Sequence, residues 1–198
     1  MVMRFAGLVL VALLAGCKTP VPLTTTPSFV TYPALATHNP NDIGVLPVED
    51  GTPAREASRH LDFMRQVLQR GLPARLYSPM RSDRVDAALA HSEPGPGETM
   101  MTPAYLKRIA GKATEDALLA VHVHKWDESR LLSEMKITFE FQAAMIASDG
   151  EFLWSGNLSG EVKAGGLGPA PRDRDGMARS CAELALTDLL NHLTRRLP

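Results

Sequence analysis

The sequence predicts an α/β (α+β) fold, a mixed sheet of about five strands with helices packed on it in the order β-α-β-α-α-β-β-β-α. Three observations carry this. Apolar strand-like runs alternate with helical runs through the first half. Asp149-Gly150 joins two long alternating stretches as a tight hairpin. A final run with helical spacing closes the chain. The early strands have helical crossovers and the later ones a two-residue turn, so parallel and antiparallel pairs are expected in one sheet.

Ile43-Gly44-Val45-Leu46-Pro47-Val48 is the first strand, with Pro47 placing its end near an edge or a bend. Thr52 offers an N-cap and Pro53 a first-turn proline. Ala57, Leu61, Met64 and Leu68 then recur at helical spacing until Gly71. Ala74 to Tyr77 is a brief second strand, and Ser82-Asp83 starts a short helix with Val85, Ala88 and Leu89. His91 to Gly97 is a loop. Thr102-Pro103 opens another helix, carrying Tyr105, Leu106, Ile109 and Ala113. Leu118 to Lys125 and Met135 to Ile146 alternate as strands, the latter with Ile137, Phe139, Phe141 and Met145 on one face. Phe152 to Val162 follows the Asp149-Gly150 turn as its antiparallel neighbour, with both turn residues expected at positive φ. Gly165 to Gly176 is a polar loop. Met177 to Leu197 is the closing helix, its Arg195 and Arg196 placed to complement the helix dipole.

The N-terminus carries its own signal. Arg4 precedes an apolar run from Phe5 to Leu14 that is shorter than the roughly 20 residues of a membrane span. Leu14-Ala15-Gly16-Cys17 resembles the lipobox of bacterial lipoproteins. That resemblance implies cleavage between Gly16 and Cys17, and a diacylglycerol and an N-acyl chain on Cys17. With several acyl chains, each worth about 0.8 kcal/mol per buried methylene, attachment is effectively permanent. Lys18 after the anchor resembles the outer-membrane default, with the domain facing the periplasm. Residues 1–16 are thus read as signal peptide, 17–41 as a lipidated tether rich in Pro and Thr, and 42–198 as one globular domain. Phe29, Val30 and Tyr32 form an apolar island in the tether, placed to dock on the domain.

Composition narrows the function. Apolar content of 44%, charged content of 22% and a formal net charge of -1 give no bulk attraction for nucleic acid. There are two cysteines; with Cys17 acylated, Cys181 has no internal partner, and its helical spacing with Leu184, Ala185 and Leu189 reads as a packed thiol.

An apolar strand ending in Leu46-Pro47, the helix before Gly71, Glu115-Asp116-Ala117-Leu118-Leu119 leading to Lys125-Trp126, and Asp149-Gly150-Glu151-Phe152-Leu153-Trp154-Ser155-Gly156 together resemble one family. It is that of small bacterial lipoproteins with a TolB N-terminal-like domain, a fold shared with CsgG and with LpoB, an activator of peptidoglycan synthases. The last segment is similar to that family's "D-x-x-x-G-x-x-L-W" turn in shortened form. The resemblance spans roughly Ile43 to Leu193. It implies a non-enzymatic accessory in envelope assembly or secretion that binds a protein partner, such as a CsgG-like pore component. A peptidoglycan synthase is the alternative partner, one that a long tether would suit. No alternating stretch here is long enough to supply a barrel like that of CsgG.

Motifs for catalysis are missing: there is no Gly-x-Ser-x-Gly elbow, His-Glu-x-x-His pair, Walker loop or zinc-spaced cysteine pair. Gly166-Leu167-Gly168 is followed by Pro169 and Pro171 where a phosphate cradle needs helix amides. His122 and His124 are the candidate metal ligands, since alternate strand residues share a face, but two are too few without a third from His60, His91, Asp127 or Glu128. A polar strand face is preferred. Trp126, taken to lie on the same side, is a candidate partner anchor, with Arg172 and Arg174 in a solvated charged loop as further partner contacts. Trp154 reads as a core aromatic. No cofactor is expected beyond the lipid on Cys17.

Overall fold

The computed structural model describes residues 23–165 and 171–197; the Gly16-Cys17 cleavage pair and the Gly166-Leu167-Gly168 loop lie outside them. The elements are β1 (Leu23–Thr31), α1 (Ala34–His38), β2 (Asp42–Val45), β3 (Glu49–Asp50), α2 (Leu61–Gly71), β4 (Ser78–Pro79), α3 (Ser82–Leu89), α4 (Pro103–Ile109), β5 (Ala117–Asp127), α5 (Leu131–Glu134), β6 (Lys136–Ala147), β7 (Phe152–Lys163) and α6 (Arg174–Asn191). Seven strands form one mixed sheet in the order β1-β7-β6-β5-β2-β4, with β3 also on β5. The mixed α+β architecture is the one expected, and the two strands beyond the expected five are β1 and β3.

β1 corrects the tether. Leu23 to Thr31 pairs antiparallel with Val162 to Trp154 along its whole length, and α1 follows within the stretch read as linker. Polyproline and β conformations are both extended, so Pro27 and the threonines accept either, and Pro27 is tolerated because β1 is an edge. Phe29 decides between them. Its ring stacks on Trp154 at 4.7 Å between centroids and 8° between planes, with His192 on its other contact at 5.2 Å. Thr25 Oγ1 donates to Asp188 Oδ2 at 2.9 Å, Tyr32 N–H donates to the Leu153 carbonyl at 3.0 Å, and Leu35 is buried. The apolar island does dock, and the whole segment docks with it. β7 is shaped for this: a Cβ at Gly156 would lie 2.1 Å from the Ser28 carbonyl oxygen, so glycine permits the close approach.

The β6–β7 hairpin forms as expected, with Ala147 and Gly150 closing the turn at 2.9 Å. Only Gly150 takes positive φ, at +90°; Asp149 does not, because Gly150 alone occupies the position after the turn that needs it. α2 starts later than Thr52-Pro53. Thr52 instead serves a local turn, its hydroxyl donating to Asp50 Oδ1 at 2.7 Å and accepting from Glu56 N–H, and a 3₁₀ turn over Ser58–His60 leads into Leu61. The second strand is also displaced: Leu72–Arg75 is a 3₁₀ turn and Ser78–Pro79 is the strand, parallel to β2. α4 does begin at Thr102-Pro103.

α6 starts at Arg174, earlier than expected, because the Asp173 carboxylate caps Gly176 N–H at 2.7 Å. It ends at Asn191, so Arg195 and Arg196 fall outside it, and Arg196 N–H donates to the Arg75 carbonyl. Two cores result. The larger lies between one sheet face and α2 and α6, with Trp126, Phe139, Phe141 and Trp154 fully buried; the smaller lies under α3 and α4 on the opposite face around Leu118, Ala120, Ala144 and Ile146. Cys181 is buried in the larger core, where burial and then the charge on Glu128 push its thiol up to about 12.

Candidate functional site

Helices α3 and α4 cover only one end of their side of the sheet. Beyond Ala120 and Ala144 the same face is open over β1, β7, β6 and the end of β5 from His124, because an antiparallel array with one face on the core leaves the other to solvent. The register fixes its rows. Ser28, Asn157, Gln142 and His122 lie across from one another, as do Thr26, Ser159, Glu140 and Lys125, and then Thr24, Glu161, Thr138 and Asp127. The result is a face of hydroxyls and amides with a few charged side chains, bordered by the edge strand β1 and by Val30, which is 55% exposed.

His122 and His124 point to this side with ring centroids 4.5 Å apart, but His122 is buried beneath Gly51 and each has its own partner. His122 Nδ1 is 2.7 Å from Glu49 Oε2, and His124 Nε2 is 3.0 Å from Gln142 Oε1. Burial raises the Glu49 carboxyl, but the His122 hydrogen bond and the Met100 N–H outweigh it and hold the group below its ordinary range. The two imidazoles therefore diverge, and His60 and Glu128 are engaged elsewhere.

Trp126 is not on the histidine side. The pairing slips between Val123 and Lys125, a β-bulge that turns Trp126 into the larger core opposite Phe139, where it is fully buried. Its indole Nε1 donates to Glu128 Oε1 at 3.0 Å. This corrects its assignment as a surface anchor. Of the two arginines, Arg172 is exposed, whereas Arg174 opens α6 and donates through Nε to Glu128 Oε2 at 3.0 Å. Trp154 is the core aromatic expected, its Nε1 donating to the His192 carbonyl at 3.1 Å.

The cluster around Glu128 was not legible in the sequence. His60 Nε2 lies 3.0 Å from Oε1 and Arg59 pairs with Oε2, so one carboxylate ties the start of α2, the end of β5 and the start of α6. Burial raises this carboxyl, but the hydrogen bonds from His60, Trp126 and Arg174 and the Arg59 charge prevail and lower it to about 2. Both of its oxygens are engaged, Oε1 by His60 and Trp126 from the core and Oε2 by Arg59 and Arg174 from the surface. The only sequence hint was the spacing of Trp126 and Glu128, since residues 59, 60 and 174 reach it through the fold.

No protein-family model matches the chain, and no curated protein matches it in sequence. Solved structures do resemble it. A variant of PelC from Paraburkholderia phytofirmans, a dodecamer, superposes with a TM-score of 0.52 at 13% identity, over 88% of this chain and 100% of that one. Lipoprotein GNA1162 from Neisseria meningitidis gives 0.44 at 22% identity, over 78% and 100%. The LpoB C-terminal domain from Salmonella enterica gives 0.41 at 16% identity, over 62% and 82%. At these identities the likeness is one of fold alone, and of these three the PelC variant reaches half of the TM scale.

Proposed function

We propose that this chain is a non-enzymatic, lipid-anchored accessory protein of the cell envelope that holds its domain close to the outer membrane and binds a protein partner through the open polar face of β1, β7 and β6. The observation that carries it is the position of β1. The strand begins six residues after Cys17, and at no more than about 3.6 Å per residue the domain is held within roughly 22 Å of the anchor. A long tether was the main support for an activator reaching a peptidoglycan synthase across the periplasm; with Leu23 to His38 folded into the domain, that support is gone. A partner at the membrane itself, of the kind a CsgG-like pore component represents, fits the geometry.

The buried groups favour binding over catalysis. Glu128 titrates near 2 and its oxygens are occupied, which makes it a poor general base near neutral pH. The open face, by contrast, offers unburied hydroxyls and amides in register across several strands. Among the described residues no helix is long and apolar enough to cross a membrane. The lipid on Cys17 is the attachment in this proposal. The resemblance to TolB N-terminal-like lipoproteins points the same way.

Crosslinking in intact envelopes followed by affinity recovery tests the proposal. Recovery of an outer-membrane pore or secretion component is the expected result, and Asn157→Arg, which adds a charge to the middle of the exposed face, should abolish it without changing the melting temperature. Recovery of a peptidoglycan synthase, or of the same partner from Asn157→Arg, would overturn the surface or the partner class.

A further inference from the structure

The structure brings together a third histidine that no motif in the sequence singled out. His38 ends α1, and its Nε2 lies 3.1 Å from Glu151 Oε2 and 3.6 Å from Asp149 Oδ2, both on the β6–β7 turn more than 100 residues away in the chain. Within the described residues this is the one group of three His, Cys, Asp or Glu side chains whose donor atoms all lie within 4.8 Å of one another. We propose that His38, Asp149 and Glu151 form a site for a divalent transition ion of the zinc type, which staples α1 to the hairpin and leaves a fourth position to water.

Three features of the geometry support this over a chance surface ion pair. Ligands bound tetrahedrally at about 2.0 to 2.2 Å from zinc stand roughly 3.3 to 3.5 Å apart, which the two contacts of His38 bracket. All three residues are exposed, and one donor is oriented beforehand. Asp149 Oδ1 accepts the Glu151 N–H at 3.0 Å, so that carboxylate is fixed with Oδ2 toward His38, and Gly150 at φ +90° turns the chain so that its two neighbours reach the same imidazole. Last, the chemistry of the set is selective: one imidazole nitrogen with two carboxylate oxygens suits zinc and its neighbours, whereas magnesium prefers oxygen ligands and retained water. The site exists only because β1 and α1 are folded onto β7, through contacts such as Tyr32 N–H to the Leu153 carbonyl. A bound ion would therefore lock the limb nearest the lipid anchor.

Calorimetric titration of the full chain in detergent micelles with zinc chloride tests this, alongside thermal melts with and without the ion. One equivalent of zinc should bind and raise the melting temperature. His38→Ala should lower the affinity by more than the roughly 10- to 100-fold that loss of a supporting residue costs. Glu151→Gln, which keeps the shape of the turn, should do likewise, and in both variants the zinc-dependent rise in melting temperature should vanish. The double variant His122→Gln/His124→Gln should bind as the parent does. Absence of saturable binding, binding unchanged in His38→Ala and Glu151→Gln, or binding lost in the His122→Gln/His124→Gln protein would each overturn the site.

Discussion

Replacing Phe29 by alanine asks whether β1 belongs to the domain or merely precedes it. The ring lies flat on Trp154 at 4.7 Å, touches His192, and is half-buried. Full burial would make its removal cost about 3 to 5 kcal/mol; at half burial roughly 1.5 to 2.5 remains. Loss of the stacked pair adds about 0.5 to 1.5 kcal/mol, for a total of about 2 to 4 kcal/mol. In a domain of this size each kcal/mol lowers the melting temperature by about 2 to 4 °C, so a drop of roughly 4 to 16 °C is expected by differential scanning calorimetry. Val30→Ala, one residue away but 55% exposed, supplies the control and should stay within about 0.5 kcal/mol of the parent. Equal melting temperatures for Phe29→Ala, Val30→Ala and the parent would refute the docking of β1, and the short distance from anchor to domain would fall with it.

Other outcomes follow from the same structure. Gly150→Val forces a β-branched residue to φ +90° and should cost about 1 to 3 kcal/mol in chemical denaturation, with lipidation untouched. Cys17→Ser should abolish incorporation of a fatty-acid analogue and leave the protein unanchored on membrane fractionation; label retained by the variant would remove the lipidation assignment. Glu128 is depressed when folded, so its contribution is complete above the ordinary carboxylate value near 4.5 and is lost as pH falls toward about 2. Glu128→Gln should accordingly flatten stability against pH in that interval, on the order of 2 to 3 kcal/mol, as measured by denaturant melts between pH 2 and 5. Cys181, its thiol raised to about 12, should resist alkylation at neutral pH in the folded protein and react only on unfolding.

Local chemistry made several parts of this molecule legible in the sequence. Asp149-Gly150 between alternating runs specified the hairpin, Thr102-Pro103 specified the start of α4, and the period of Cys181 with Ala185 and Leu189 placed a buried helix face. Each depends on residues within a turn or two of one another. What only the tertiary structure decided depends on partners far away in the chain. Thr24 to Ser28 reads as linker until β7 offers a ladder and Trp154 a surface for Phe29, because extended backbone is common to a tether and an edge strand. Trp126 reads as a neighbour of His122 and His124 until the bulge after Val123 reverses the alternation and turns the indole inward. Thr52-Pro53 reads as a helix start until Asp50 captures the Thr52 hydroxyl. The Glu128 cluster and the meeting of His38 with Asp149 and Glu151 follow the same rule. Charged side chains separated by tens of residues or more converge only when packing brings their elements together, and no spacing in the sequence encodes that.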